Sequence, residues 1–298
     1  MAEAVEPRRR SVLGASPAGL HRIAYREWGD PRNRDVLVCV HGLTRSGRDF
    51  DELARALCAQ FRIVCPDIAG RGDSDRLADA KLYTWAQYVA DMVTLIARLD
   101  VETVYWLGTS MGGFVGMALA AQAASPVKKL VLNDAGPVIG KASLERIAKY
   151  VGQAPAFPTL EDAEKYVRAI SAPFGPHSDA QWRFLTETWV RRHEDGAWRP
   201  HYDPRIAEAY RATMPEKDLE LWHLYDAVRC PTLLIRGCYD GIATEEDILD
   251  FYRQLPNPDK QLVILPATAH SLNLGYNRHL YWHAAHAFLT LPKVEVNV

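Results

Sequence analysis

Val104-Tyr-Trp-Leu-Gly-Thr-Ser-Met-Gly-Gly113 decides how the rest of the chain is read. Val104 to Leu107 form an unbroken apolar run with β-branched and aromatic members. That is the pattern of a central strand buried on both faces. Gly108-Thr109-Ser110-Met111-Gly112 then fits G-x-S-x-G, and Gly113 to Ala124 is Ala-rich and apolar, as a buried helix would be. The reading is strand, tight turn, helix. A serine on such a turn carries its hydroxyl above the sheet edge on a strained backbone, so glycines must flank it where the chain crowds together. The amide of Met111 opens the helix and faces the same way as the hydroxyl, placing it to donate to an oxyanion.

Outward from this stretch the chain alternates strands and helices. Buried strands are expected at Val36–Val40, Arg62–Cys65, Val127–Asp134, Thr232–Arg236 and Lys260–Leu265. A half-buried strand is expected at His21–Trp28, where polar and apolar residues alternate. Helices are expected over 49–60, 84–99, with Thr84 as N-cap, 244–255 and 275–290. Residues 1–18 read as a loose lead-in. Repeated strand–helix units predict a mostly parallel sheet with helices on both faces. From Gly136 to Lys217 no buried-strand run occurs; helical segments are joined by prolines, and aromatic residues are frequent. The expected organisation is a core of residues 1–135 and 218–298 with a helical cap inserted at 136–217. The aromatic content of that cap suggests a largely apolar pocket, although most of these rings are expected to pack within the cap itself.

A serine hydroxyl needs a base, most often histidine, and the base needs an orienting group. In open α/β sheets such residues gather beyond the carboxyl ends of strands. Asp240 follows one late strand in Arg-Gly-Cys-Tyr-Asp-Gly241, and His270 follows the next in Pro-Ala-Thr-Ala-His-Ser-Leu-Asn273. The order Ser110, Asp240, His270 is that of one known catalytic arrangement. Asp134, at the end of an earlier strand, competes for the acid role. The second oxyanion donor is expected to be the Leu43 amide in His41-Gly-Leu-Thr44, with His41 bracing that loop. Asp67, Arg71 and Asp73 are candidates for catalytic carboxylates or a substrate clamp.

His41-Gly42, Asp67-x-x-Gly70-x-Gly72-x-Ser74, Gly108-Thr-Ser-Met-Gly112, Gly237-x-x-Asp240 and Ala269-His270 together resemble the α/β-hydrolase superfamily, over about residues 20 to 290. The resemblance implies an eight-stranded sheet, a helical cap after the sixth strand, and esterase-like hydrolysis with no metal and no organic cofactor. It also implies that the loop of Asp67, Arg71 and Asp73 is mainly structural, and it favours Asp240 over Asp134 as the acid, because the Asp240 loop resembles the usual acid loop of the family. Among serine members the motifs are similar to carboxylesterases and enol-lactonases. The alternatives are C–C bond hydrolases of ring-cleavage products, cofactor-free perhydrolases and triad-bearing small-ligand receptors. The expected reaction is acyl transfer: Ser110 as nucleophile, His270 as base and acid, Asp240 orienting it, and Leu43 and Met111 holding the oxyanion.

Composition sets the surroundings. With 35 basic and 37 acidic residues among 298, the formal net charge is −2. That gives no electrostatic case for nucleic acid. No apolar stretch approaches the ~18 residues that a membrane span needs. The start, Met1 to Arg10, has no apolar secretory core. Five cysteines without metal-type spacing fit a reduced, cytoplasmic setting. The expected partner is a small-molecule ester or lactone, with no nucleic acid and no membrane; a homo-oligomer is compatible with the sequence.

Overall fold

The computed structural model describes residues 6–237, 260–265 and 278–290. In chain order, the first half comprises β1 (Arg8–Ser16), β2 (Gly19–Trp28), β3 (Val36–Val40), α1 (Asp51–Leu57), β4 (Arg62–Pro66), α2 (Trp85–Arg98), β5 (Val104–Thr109), α3 (Met111–Ala120) and β6 (Val127–Asn133). Then come β7 (Val138–Ile139), α4 (Lys141–Tyr150), α5 (Leu160–Ile170), α6 (Asp179–Trp189), β8 (Val190–Arg192), β9 (Trp198–Pro200), α7 (Ile206–Ala212) and β10 (Leu219–Glu220). The chain closes with α8 (Trp222–Ala227), β11 (Thr232–Gly237), β12 (Lys260–Leu265) and α9 (Arg278–Thr290).

Eight strands make one sheet in the order β1-β2-β4-β3-β5-β6-β11-β12. β1–β2 and β2–β4 pair antiparallel, and every neighbour pair from β4 to β12 is parallel. The parallel strands are the most apolar. All five residues of β3 and all six of β5 are buried. One face of the sheet carries Val38, Val40, Trp106, Leu130 and Leu132 towards α2 and α3. The other carries Leu37, Cys39, Tyr105, Leu107 and Val131 towards α1 and α9. Each large apolar side chain fully buried this way contributes about 1.5–3 kcal/mol. β5 therefore lies at the centre of the sheet with both faces covered.

β1 corrects the expectation of a loose lead-in. Its residues are mostly exposed and show no apolar period, which hides it. It is held by its partner, with an unbroken register from Arg8↔Glu27 to Ser16↔Gly19. The helix from 84 begins as expected: Thr84 is extended and its side chain accepts from the Gln87 amide at 3.3 Å. Its buried face follows helical spacing: Tyr88, Asp91, Met92, Leu95 and Ile96.

Between β6 and β11 the chain leaves the sheet. The short pairing of β7 with β10, Ile139 opposite Leu219, ties the beginning of this excursion to its end. α6 opens with a capping box in which Ser178 and Gln181 bond reciprocally. Phe157, Tyr166, Phe174, Trp182, Trp189 and Trp198 pack in two small clusters within this region, while Tyr202 and Tyr210 pack on the main core. Trp182 joins Val167 and Leu185, while Phe157 joins Ala163 and Val190, with Tyr166 and Trp189 stacked 5.8 Å apart at their edge.

Candidate active site

The junction of β5 and α3 is a tight turn. Ser110 has φ 49° and ψ −114°, which side-chain-bearing residues adopt at a cost of about 1–3 kcal/mol. The conformation is held on both sides. The Ser110 amide donates to the Asn133 carbonyl at 2.9 Å, and the Ser110 carbonyl accepts from the Gly113 and Phe114 amides at 2.8 and 3.1 Å. The flanking glycines are required by contact. A Cβ on Gly108 would lie 2.2 Å from the Gly112 carbonyl oxygen, and one on Gly112 would lie 2.1 Å from the Val40 oxygen. Strand and helix thus approach more closely than any larger residue allows, and the serine is left partly exposed at their apex.

The His41–Thr44 loop, just beyond β3, lies beside this serine. A Cβ built on Gly42 would come 3.9 Å from the Ser110 Cβ, an ordinary contact. Space alone therefore does not demand glycine at 42. His41 is fully buried and bridges two backbone segments. Its Nδ1 is 2.7 Å from the Gly42 carbonyl oxygen, and its Nε2 accepts from the Ile68 amide at 3.0 Å. Together these bonds require the neutral ring protonated on Nδ1. Burial pushes its pKa down to about 3. His41 is a brace, as expected, and it is not poised as a base.

That brace sets a direction. In a trans peptide the carbonyl and the following amide point opposite ways. With the Gly42 oxygen turned to His41, the Leu43 N–H is turned away from it. Neither the Leu43 amide nor the Met111 amide is taken by an acceptor among the described residues. The first amides of a helix have no partner within it. Two free donors on adjacent strand ends beside a partly exposed hydroxyl can bind an oxygen bearing negative charge.

Arg71, read from the sequence as structural, connects this arrangement. It is 1% exposed. Its Nε donates to the Leu43 carbonyl at 2.9 Å, and its Nη2 lies 3.6 Å from the Met111 Sδ. Its Nη1 donates to the Ala69 carbonyl and to the Tyr88 hydroxyl, both at 2.8 Å. Asp67 shapes the same loop, accepting from the Gly47 and Asp73 amides at 2.7 and 2.8 Å. Burial pushes that carboxyl up to about 6. A Cβ on Gly72 would lie 2.3 Å from the Asp67 carboxyl, so glycine is required there.

Asp240 and His270 lie outside the described residues. The strands that lead to them are described. β11 ends at Gly237 and β12 at Leu265, paired with each other, and Ile235 pairs with Asn133 beside β5. All four carboxyl ends, from β5 to β12, therefore face one edge of the sheet. Asp134 is on that edge too, with φ 50° and its amide donating to the Ile235 carbonyl at 2.8 Å.

A separate cleft of about 660 Å³ opens between the 70–76 loop and the β8–β9 hairpin. Its lining is polar, with Arg76, Arg191, Arg192, Arg199 and His201, and it does not include Ser110. Arg199 is paired with Asp195 at 2.6 Å, and Arg191 lies 3.7 Å from Asp73. This is not the apolar pocket that the aromatic content suggests.

A family model of the alpha/beta hydrolase fold matches residues 35–275. The chain belongs to the α/β-hydrolase family. This α/β hydrolase is 50% identical over 251 residues to the 3-hydroxybutyrate-oligomer hydrolase of Cupriavidus necator, covering 82% of this chain and 86% of that one. Among solved structures it resembles an alpha/beta hydrolase from Novosphingobium aromaticivorans, with a TM-score of 0.84 and 32% identity over 96% of this chain and 99% of the other. Among the described residues of this hydrolase, no helix is long and apolar enough to cross a membrane.

Proposed function

We propose that this hydrolase cleaves carboxylic esters through Ser110, and that its substrates are short linear esters of hydroxy acids. The observation that carries the reading is the Ser110 turn, where a partly exposed serine with positive φ stands at the start of α3 next to the loop that carries Leu43, and where no acceptor among the described residues takes the Leu43 or Met111 amide. The substrate class draws support from the relative of Cupriavidus necator, whose name specifies 3-hydroxybutyrate oligomers. In such oligomers each linkage is an ester, and hydrolysis releases one hydroxyl and one carboxylate.

The proposed steps use His270 as base and Asp240 to orient it, on the grounds of their order and loop context in the sequence. Ser110 Oγ bonds to the ester carbon while its proton passes to His270. The carbonyl electron pair moves to oxygen, where the two amides receive it. The carbonyl reforms as the ester C–O bond breaks, and His270 returns the proton to the departing alkoxide. Water then attacks the acyl-serine, giving its proton to His270. Collapse frees the carboxylic acid and returns the proton to Ser110 Oγ. Residues 136–217 are proposed as a cap over this edge, with its helices shaping which chains reach the serine.

The test is turnover of 3-hydroxybutyrate dimer and trimer, and of p-nitrophenyl butyrate, by the wild type and Ser110→Ala. Loss of the nucleophile is expected to lower kcat by about 10⁴-fold or more. A fluorophosphonate should add to the peptide bearing Ser110 and to no other. Ser110→Ala turning over at the wild-type rate would overturn the reading.

A further inference from the structure

Arg71 is a buried cation whose partners among the described residues are all neutral. Its hydrogen bonds reach two carbonyls, a hydroxyl and a thioether, and among the described residues none reaches a carboxylate. The ring of Tyr88 lies 4.9 Å from its guanidinium carbon and that of Tyr83 5.7 Å, so aromatic faces supply part of its environment. An arginine remains charged in any protein environment. A buried charge without a counter-charge is unfavourable unless other interactions compensate. A neutral side chain of similar size would fill the same space at less electrostatic cost, so stability alone does not account for a guanidinium here.

Its placement does. The two residues whose amides are the proposed oxyanion donors, Leu43 and Met111, come from different strand ends, and Arg71 contacts both. His41 fixes the Leu43 peptide from one side through the Gly42 carbonyl; Arg71 fixes the next peptide through the Leu43 carbonyl. The donor amide is held between the two. On the other side of the site, contact with the Met111 thioether restrains the side chain of the residue that opens α3.

We propose that Arg71 is the positioning residue of the oxyanion site: it sets the Leu43 and Met111 amides and supplies a fixed positive charge behind them. A negative charge, which no described residue brings to it by a hydrogen bond, arises on the substrate oxygen when the tetrahedral species forms. The interaction is then largest in the transition state, which raises kcat rather than tightening ground-state binding. The low-dielectric surroundings make that charge more effective than it would be in water. Lysine would keep the charge, but it lacks the planar fork that contacts a carbonyl and a thioether together.

The inference rests on the reading of Ser110 as nucleophile, and the experiment separates the two. kcat and KM for p-nitrophenyl butyrate are measured for the wild type, Arg71→Met, Arg71→Lys and Ser110→Ala. Alongside, Ki is measured for an alkyl trifluoromethyl ketone, which forms a charged tetrahedral adduct with an active-site serine. For Arg71→Met, kcat should fall about 10²-fold, as when one oxyanion donor is removed. KM should stay within about threefold, and the ketone Ki should rise by the same factor as kcat/KM falls. For Arg71→Lys, kcat should fall and the ketone Ki should rise by about tenfold each, between wild type and Arg71→Met. A rise in KM with kcat and ketone Ki unchanged, in either variant, would overturn the proposal. If Arg71→Met is not recovered folded, Arg71→Lys decides: wild-type kcat and Ki in that variant reject the role. An active Ser110→Ala would instead reject the nucleophile itself.

Discussion

Single residues hold the site by opposing preferences. Ser110 occupies a backbone region that suits glycine, and a hydroxyl is kept there against that preference. Ser110→Gly should therefore be about 1 kcal/mol more stable than Ser110→Ala, with the entropy of the glycine offsetting part of the relieved strain. Urea midpoints of the two inactive variants measure this directly; equal midpoints would show that the turn is unstrained. His41 offers a pH test. Its folded-state pKa is depressed to about 3, so below the unfolded value near 6.5 the unfolded chain binds a proton that the folded one does not. Its contribution is fully present above pH 6.5 and is lost as pH falls towards 3. Asp67 runs the other way: its carboxyl is raised to about 6, so its contribution is present below the unfolded value near 3.8 and lost as pH rises through 6. The opposing slopes mask each other in the wild type, so the difference between wild type and His41→Asn is the informative quantity. Relative to the variant, the wild type should lose about 1.4 kcal/mol per pH unit on acidification from about 6.5 to about 4. A pH-independent difference in denaturation free energy would reject this role for His41.

At the scale of elements, legibility tracks burial. β3 and β5 are continuously buried, and β4 and β6 contain the shorter apolar runs Ile63–Cys65 and Leu130–Leu132; such runs, covered on both faces of a parallel sheet, can be read without their neighbours. Thr84 is readable for a similar reason, since a cap is a local hydrogen bond. β1 is not readable, because its stability comes from a partner strand and from side chains that meet across it. Glu27 is 3% exposed and receives Arg62 at 2.6 Å and Arg8 at 3.2 Å. Arg62→Met would leave that carboxylate buried with Arg8 as its close partner. Removing one partner of a buried pair costs roughly 3–5 kcal/mol, and the remaining arginine should hold the loss near the low end. Thermal unfolding of Arg62→Met reads it; a change below about 1 kcal/mol would show that β1 does not depend on this cluster. The same distinction explains the site. The tight turn at Ser110 is legible from G-x-S-x-G because the spacing of Gly108 and Gly112 is a local record of backbone crowding, whereas Gly42 meets only an ordinary contact. The role of Arg71 is not legible, since the loop motif gives no sign that its side chain runs back to Leu43 and across to Met111.

Across the whole molecule, the region between β6 and β11 is attached to the sheet in two different ways. Tyr202, Ile206, Ala207 and Ala209 belong to the same apolar core as β3, β5 and α3. Asp203 reinforces that attachment: its amide donates to the Gly70 carbonyl at 2.7 Å, and its carboxylate accepts from the Tyr83 hydroxyl at 2.7 Å. The α5–α6 pair is different, since Val167, Trp182 and Leu185 form a small core of their own. The polar links from the end of α6 to the core loop are few. Arg45 Nη2 donates to the Thr188 Oγ1 at 3.0 Å, and Ser46 Oγ to the Thr188 carbonyl at 3.4 Å. Thr188 Oγ1 can accept because its own proton goes to the Leu185 carbonyl at 3.1 Å. Arg45 is also paired with Asp49 at 2.6 Å and lies two residues beyond Leu43. The α5–α6 pair is thus latched to the loop that carries Leu43. Thr188→Val keeps the shape of the side chain and removes the acceptor of that charged hydrogen bond, a loss of about 1.5 kcal/mol. Local opening of α5–α6 should become about tenfold more frequent. Amide exchange should accelerate across residues 160–189 and stay unchanged in α7, which is held by the main core. Under the proposed cap role, KM should rise with it. Uniform acceleration across α5, α6 and α7 would instead mean that the whole excursion moves as one body. In that case the division between a latched pair and a rooted helix would fail.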